Sequence, residues 1–495
     1  MFTLYPHQEQ VIEELREGIR QGHKRQVLAA ATGFGKTVVA AHLALSAVQK
    51  GKRVLFIVDR IELVSQAVRT FSALGLQVGV LQGENTNYSE TDDIIVASIQ
   101  TIRTRSAPDW VRLIIIDECH ILHRAHIRLM ERWTAIPFIG LSATPLRKGL
   151  GRYFTNLVRG PSIRWLTENG FLVPVRGFAP ASDAVADAIK GVKVRGGDYV
   201  EADLGQAINQ KELVGDIVST WQERGEDRQT LCFATSIAHS KAIRDDFEAA
   251  GVAVAHIDAY SNADERKTII EGFKTRDIRI LTSVNVLGIG FDVPDAACLI
   301  LARPTMSEAL HIQQMGRGIR TAEGKTDCII LDHSGNTHEH GLPIHFEVPD
   351  LDTSEKGSGE VRKKRDEKDK LVTCTHCGAL MERDQLTCME CGLDRPQRKS
   401  KVSYRDGDLV EFGATGDEAE AAEAERMSFY LACKGYQVAK GKNPNAAFFL
   451  TREKFKGFKA PRHWQYLDPI DPSDAVCRWI KSRNIRWAKS QERKR

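Results

Sequence analysis

Short runs of continuously apolar, β-branched residues recur along the first two thirds of the chain, separated by stretches of helical character. Residues 26–32, 53–59, 93–98, 113–117 and 138–144 form one series, and residues 229–235, 254–258, 278–284, 296–302 and 327–332 form a second. The run Leu113-Ile114-Ile115-Ile116 does not alternate with polar positions. It therefore predicts strands covered on both faces, as in a parallel sheet flanked by helices. Two such series predict two α/β parallel-sheet domains, over residues 1–165 and 211–348. Residues 166–210, with Gly196-Gly197 inside them, are less regular and are expected to bridge the two. The pattern then changes. Residues 349–370 hold few large apolar side chains and read as a solvated linker. A cysteine-bearing module over 371–396, a polar segment over 397–425 with an Ala/Glu run, and a C-terminal domain over 426–495 complete the order.

The 495 residues carry 69 Lys and Arg against 65 Asp and Glu, a near-balance that hides an asymmetry. Residues 426–495 hold 17 basic and 5 acidic residues together with 11 of the 35 aromatics. Basic and aromatic residues together suit a nucleic-acid contact surface, because cations neutralise phosphates and rings stack on bases. The other reading is a small folded domain with its aromatics inside, serving DNA contact or protein docking. No apolar run approaches the roughly 18–20 residues needed to cross a bilayer, and the N-terminus lacks the pattern of a secretory signal. A cytoplasmic protein with no membrane contact, nucleoid-associated if bacterial or viral, is expected.

Ala30-Ala31-Thr32-Gly33-Phe34-Gly35-Lys36-Thr37 follows a strand and opens a helical stretch. Glycines at 33 and 35 let backbone N–H groups turn towards phosphates, Lys36 reaches the β- and γ-phosphates, and Thr37 can ligate Mg²⁺. Ala30 stands where the usual loop has its first glycine. At the end of the apolar strand, Asp117-Glu118-Cys119-His120 offers two adjacent carboxylates, Asp117 for Mg²⁺ and Glu118 to polarise an attacking water. An acidic strand end capping the next helix would explain one of them more readily than both.

Taken in order, these segments resemble superfamily 2 helicases with an Asp-Glu-Cys-His box. Gln8 resembles the adenine-reading glutamine, Thr32–Thr37 motif I, residues 58–63 motif Ia, and Asp117–His120 motif II. Ser142-Ala143-Thr144 resembles motif III, Gly288-Ile289-Gly290-Phe291-Asp292-Val293-Pro294 motif V, and Gln313-Gln314-Met315-Gly316-Arg317-Gly318-Ile319-Arg320 motif VI. The resemblance implies two RecA-like domains with ATP and Mg²⁺ in the crevice between them. It implies that Thr32, Gly33, Gly35, Gly288, Gly290 and Asp292 line the nucleotide site, that Arg317 and Arg320 act as arginine fingers, and that Gln313 and His120 link the nucleotide to motif III. The branch most resembled contains XPB-type, UvsW-type and type I restriction motors, which implies duplex or branched DNA as substrate. An RNA helicase, or a non-catalytic zinc-containing DNA-binding protein, is the alternative. Repair or recombination is the setting that branch suggests, and a monomer is expected.

Cys374-x-x-Cys377 and Cys388-x-x-Cys391 are separated by ten residues, with Gly378 and Gly392 following each pair. Four thiolates at that spacing suit a structural tetrahedral Zn²⁺ ribbon. His333, His338, His340 and His345 form a second cluster, read as loop histidines and not as a metal site. Asp350 and Asp366-Glu367-Lys368 superficially resemble a nuclease motif, but no strand pattern surrounds them, so no nuclease is expected.

Overall fold

The computed structural model describes residues 3–179 apart from 84 and 86, 189–204 apart from 196, 201 and 202, 217–284, 293–355, 360, 371–395, 417–455 and 458–492. Its first sheet comprises β1 (Arg25–Ala29), β2 (Arg53–Val58), β3 (Val78–Leu81), β4 (Ile94–Ser98), β5 (Val111–Ile116), β6 (Phe138–Ser142) and β7 (Asn156–Arg159). They lie in the order β3-β4-β2-β5-β6-β1-β7 with every neighbour parallel. The helices α1 (Pro6–Arg20), α2 (Lys36–Val48), α3 (Glu62–Ser72), α4 (Ile99–Thr104), α5 (Arg124–Arg132) and α6 (Ile163–Glu168) connect and flank these strands. Ile114, Ile115 and Ile116 of β5 are all buried, two joining the apolar cluster on one face and one that on the other. This is why the run does not alternate.

The second sheet holds β8 (Val175–Phe178), β11 (Thr230–Phe233), β12 (Val254–Ile257), β13 (Ile280–Ser283), β14 (Cys298–Leu301) and β15 (Cys328–Asp332), again all parallel, in the order β12-β13-β11-β14-β15-β8. A small hairpin, β9 (Val194–Arg195) with β10 (Asp198–Tyr199), lies between β8 and β11 in sequence. The helices α7 (Ile217–Arg224), α8 (Ile237–Ala249), α9 (Ala263–Lys274), α10 (Glu308–Gly318) and α11 (Asn336–His340) belong to this half. Side chains of Ser236, Asn262 and Ser307 cap α8, α9 and α10, each accepting from a backbone N–H of the first turn. Sequence reasoning treats residues 166–210 as a bridge; the structure gives β8 from this stretch to the second sheet.

Two segments differ from their sequence reading. Within the stretch read as a solvated linker, Leu351 packs against the first domain's core and Asp352 accepts from the N–H of Gly149 at 2.7 Å. Gly151 N–H donates to the Asp352 carbonyl at 2.7 Å, and Arg159 pairs with Asp350 at 2.5 Å. One apolar side chain and two well-placed aspartates suffice to pin a polar segment, a combination that composition does not register. The cysteine module, with β16 (Val372–Thr373) and β17 (Leu380–Met381), shares one apolar cluster with Phe178, Trp221, Phe247 and Ile329 of the second domain. Arg176 of β8 reinforces the joint, bonding Glu390 of the module at 2.5 Å, Glu226 at 2.7 Å and Asp327 at 3.3 Å.

Residues Arg398–Arg495 form a separate unit. Its helices α12 (Asp417–Ala439), α13 (Ala446–Lys454) and α14 (Asp474–Glu492) surround a small core containing Tyr430, Cys433, Leu450, Trp464 and Ile480. Many of the tail's aromatics therefore pack inward, while Phe449 and Tyr466 are exposed, at 70% and 82%.

Candidate active site at the domain crevice

The loop between β1 and α2 takes the form its glycines permit. Gly33 and Gly35 have φ of 91° and 88°, a region that side chains with a Cβ rarely adopt. Lys36 opens α2 and donates from Nζ to the carbonyls of Ala30 and Ala31 at 3.1 and 3.4 Å. The side chain is thus folded over the loop where phosphates would lie. Burial holds its ammonium below the usual range, opposed by the charges of Glu118 and Asp117. Gln8 donates from Nε2 to the Phe34 carbonyl at 2.7 Å, and its Oε1 accepts from the Tyr5 N–H at 3.0 Å. The glutamine therefore braces the phosphate loop directly.

Asp117 and Glu118 follow β5 at the same edge of the sheet. Glu118 has φ of 48°, a left-handed conformation uncommon outside glycine, and its N–H donates to Asp117 Oδ1 at 3.1 Å. Burial and the neighbouring Glu118 push the Asp117 carboxyl up to about 7, opposed by Lys36. Glu118 Oε2 is buried without a hydrogen bond, 3.3 Å from His120 Nδ1. His120 links three motifs. Its Nδ1 lies 2.8 Å from Ser142 Oγ, and its Nε2 faces the Gln313 amide of α10 at 3.4 Å. Burial lowers the His120 pKa, favouring the neutral ring that accepts from Gln313.

The second domain closes on the loop through α10. A Cβ at Gly316 would stand 2.6 Å from Thr32 Cβ, so helix and loop touch there. A Cβ at Gly33 would meet Arg320 Cγ at 3.4 Å, which places the arginine stem over the first loop glycine. Residue 320 also pairs with Leu172, and the Val173 N–H donates to the Ile319 carbonyl at 2.9 Å. Arg317 is buried, and the positive charges of Arg317 and Arg320 both bear on Lys36. Lys36, Thr32, Asp117, Glu118, Gln313, Arg317 and Arg320 are therefore gathered at one crevice, with Gln8 behind the loop and Thr37 one residue into α2. Gly288, Gly290 and Asp292 lie outside the described residues.

Several residues at this site carry no motif signal. His7 contacts Tyr5, Phe34, Trp165 and Phe171, with ring centroids 4.4–5.6 Å away. Beside this aromatic cluster, His7, Gln10, Arg159, Pro161, Ser162 and Trp165 line a cavity of about 400 Å³. The aromatic spacing in the first turn was the available signal; Trp165 and Phe171 arrive only through the fold. Asp59, within the segment that resembles motif Ia, makes contacts that the motif does not announce. Its carboxylate pairs with His123 at 2.7 Å and its carbonyl accepts from Gln100 of α4 at 2.6 Å, tying the segment after β2 to α4 and to the start of α5.

The four cysteine Sγ atoms at 374, 377, 388 and 391 all lie within 4.8 Å of one another. The Cys374–Cys391 and Cys377–Cys388 separations are 3.8 and 3.7 Å, close to the edge of a tetrahedron with Zn–S bonds of roughly 2.3 Å. Gly378 and Gly392 take positive φ, and each donates its N–H to the first cysteine's carbonyl. The donor set fits a zinc ion. The histidine cluster does not converge: His340 faces the Thr305 carbonyl, His345 pairs with Glu382, and His338 faces Thr373. Among the described residues the four cysteines are the one group arranged for a metal.

Two sequence families match this architecture. Residues 1–147 match the family described as type III restriction enzyme, res subunit, and residues 209–322 match the helicase conserved C-terminal domain. A "51.5 kDa protein" of a Lactococcus phage is 30% identical over 370 residues, covering 73% of this chain and 76% of that one. A Saccharomyces cerevisiae protein described as the ATP-dependent helicase IRC3 is 31% identical over 366 residues, covering 67% of this chain. The matched region spans about half, 52%, of the yeast protein's own length. The ATP-dependent type ISP restriction-modification enzyme LlaBIII bound to DNA shares the fold at a TM-score of 0.51 and 16% identity, over 67% of this chain and 28% of that one. The chain belongs to the superfamily 2 helicases, motors that hydrolyse ATP. Within them it is of the Asp-Glu-x-His kind, carrying Cys119 at the third position. Among the described residues no helix is long and apolar enough to cross a membrane.

Proposed function

We propose that this chain is an ATP-driven translocase acting on duplex or branched DNA, and that the crevice between its two sheets is where hydrolysis occurs. The observation that carries this reading is the seating of α10 against the phosphate loop, with Gly316 on Thr32 and Arg320 over Gly33. Lys36 would hold the β- and γ-phosphates, while Thr37 and Asp117 would hold Mg²⁺. Glu118 would orient the attacking water. Arg317 and Arg320 would stabilise charge on the transferring phosphoryl group. The base would lie beside Gln8 and the Tyr5–His7–Phe171 cluster. Loss of the γ-phosphate then loosens the grip of both domains and lets the crevice open.

Zinc in the four-cysteine module would supply the rigidity that a unit of about 25 residues cannot obtain from a core of its own. The basic unit at residues 398–495 would add DNA contacts through its surface cations and the exposed rings of Phe449 and Tyr466. DNA is favoured over RNA by the shared fold with a restriction motor described as bound to DNA.

The test is an ATPase panel over single-stranded, duplex, forked and four-way DNA and matched RNA. Duplex or branched DNA is expected to stimulate turnover most; stimulation by RNA alone would overturn the substrate assignment. Removal of residues 398–495 is expected to weaken DNA binding and flatten its salt dependence. An unchanged slope would assign the unit to protein docking.

A further inference from the structure

We propose that Glu360 is a positioning residue for the arginine-bearing helix α10, latching its N-terminal end to the loop that follows Ser142-Ala143-Thr144. This rests on the reading of the crevice given above and adds a part that lies outside every helicase motif.

The Glu360 carboxylate meets the start of α10 with both oxygens. Oε1 accepts from the Ser307 hydroxyl and Oε2 from the Ala309 N–H at 3.3 Å. Ser307 is itself the capping residue of α10 and accepts from the Leu310 N–H at 3.0 Å. A carboxylate at this end also meets the positive end of the helix dipole. The backbone of residue 360 faces the other domain: it pairs in antiparallel fashion with Arg147. Arg147 stands three residues after Thr144, and its Nη1 donates to the Leu122 carbonyl at 2.7 Å, two residues beyond His120. One residue thus holds the helix that carries Gln313 and Arg317 by its side chain, and the loop after motif III by its main chain. Its charge also reaches the crevice, since it acts on His120.

The chain leading to Glu360 is anchored as well. Asp352 caps the backbone at Gly149 and Leu351 is seated in the first domain's core. Residues 351 and 352 are thus held by the first domain, and Glu360 meets α10 of the second. Any opening that lifts α10 from Thr32 must either break the carboxylate's contacts or part residue 360 from Arg147. Two hydrogen bonds to a charged acceptor are enough to shift a closed-open equilibrium by about an order of magnitude.

The experiment uses the full chain and steady-state ATP hydrolysis with saturating duplex DNA, comparing wild type, Glu360→Gln, Glu360→Ala, Ser307→Ala and the Glu360→Ala/Ser307→Ala pair. Lys36→Ala serves as the control for the crevice. The expected result is a fall in kcat of roughly tenfold for Glu360→Ala, with KM for ATP within about twofold and the melting midpoint unchanged. The double variant should lose less than the sum of the two single variants, because the Ser307–Glu360 contact is removed in both. Wild-type kcat in both Glu360 variants overturns the latch, as does a kcat loss that tracks a lowered melting midpoint. A wild-type protein without DNA-stimulated turnover, indistinguishable from Lys36→Ala, would instead overturn the reading of the crevice.

Discussion

Replacing Gly316 by alanine adds a single methyl group at the point where the two domains meet. That carbon would stand 2.6 Å from Thr32 Cβ and 2.9 Å from both Cγ2 and Oγ1. Carbon atoms in ordinary contact are about 3.5–4.0 Å apart, so helix and loop must separate by roughly 1 Å. Thr32 cannot give way, because it is buried in the loop that Gln8 and Lys36 brace from either side. The displacement is therefore carried by α10 and passes to Arg317 on the same turn and to Arg320 just beyond it. A misplacement of about 1 Å at a reacting centre costs on the order of 10² in rate. DNA-stimulated kcat should fall by about that factor in Gly316→Ala, while KM for ATP changes by less than about threefold, since the loop itself is intact. The folded state should not suffer, because alanine is better than glycine inside a helix by roughly 0.5–1 kcal/mol. Steady-state ATPase together with a thermal melt checks this. A variant with kcat within twofold of wild type would show that hydrolysis does not require α10 against Thr32, and the closed crevice would lose its standing as the reactive arrangement.

Arg317→Ala should lower stimulated ATPase turnover by about 10³-fold, and Lys36→Ala or Glu118→Gln should abolish it, each leaving DNA affinity near wild type in an anisotropy titration. Because the cysteine module shares its apolar cluster with Phe178 and Trp221, Cys388→Ser or chelation should lower the melting midpoint of the second domain and not merely release a local segment; metal analysis should find one zinc per chain. Burial lowers His126 to about 3 against 6.5 for a free imidazole. Its depressed value means the unfolded chain binds the proton first, so stability is full above about 6.5 and is lost as pH falls towards 3. His126→Gln, which can still accept from the His123 N–H, should flatten the fall in melting midpoint between pH 7 and 5; an unchanged slope would assign that fall to other groups.

The central strands of both sheets were legible because their burial leaves a continuous apolar run, as in β5 and β14. The three that were not legible are β3, β7 and β8. In β3 only Gly79 and Leu81 are fully buried, β7 reads Asn-Leu-Val-Arg, and β8 contains an arginine and a glycine. All three lie at sheet edges, where one side of the ladder is unpartnered and the requirement for unbroken apolar sequence relaxes. That the 30–37 loop, the paired carboxylates and α10 meet at one crevice was foreshadowed by the order and spacing of their motifs. Glu360 and the partnership of Asp59 with His123 were not, because each depends on a contact between segments distant in sequence. The tail shows the converse failure. Its aromatics read equally as stacking platforms or as core, and only the packing of Tyr430 and Trp464 separates those inside from those outside.

The docking of the cysteine module on β8 has a consequence for where this motor can be cut. The apparent seam in the sequence, just after the last strand of the second sheet, is a false one. A truncation there would strip Phe178 and Gly177 of the cover that Ala379 and Leu380 provide, and leave Arg176 without Glu390. A minimal motor engineered from this chain must therefore retain residues to about 395, since the cysteine module completes the edge of the second sheet.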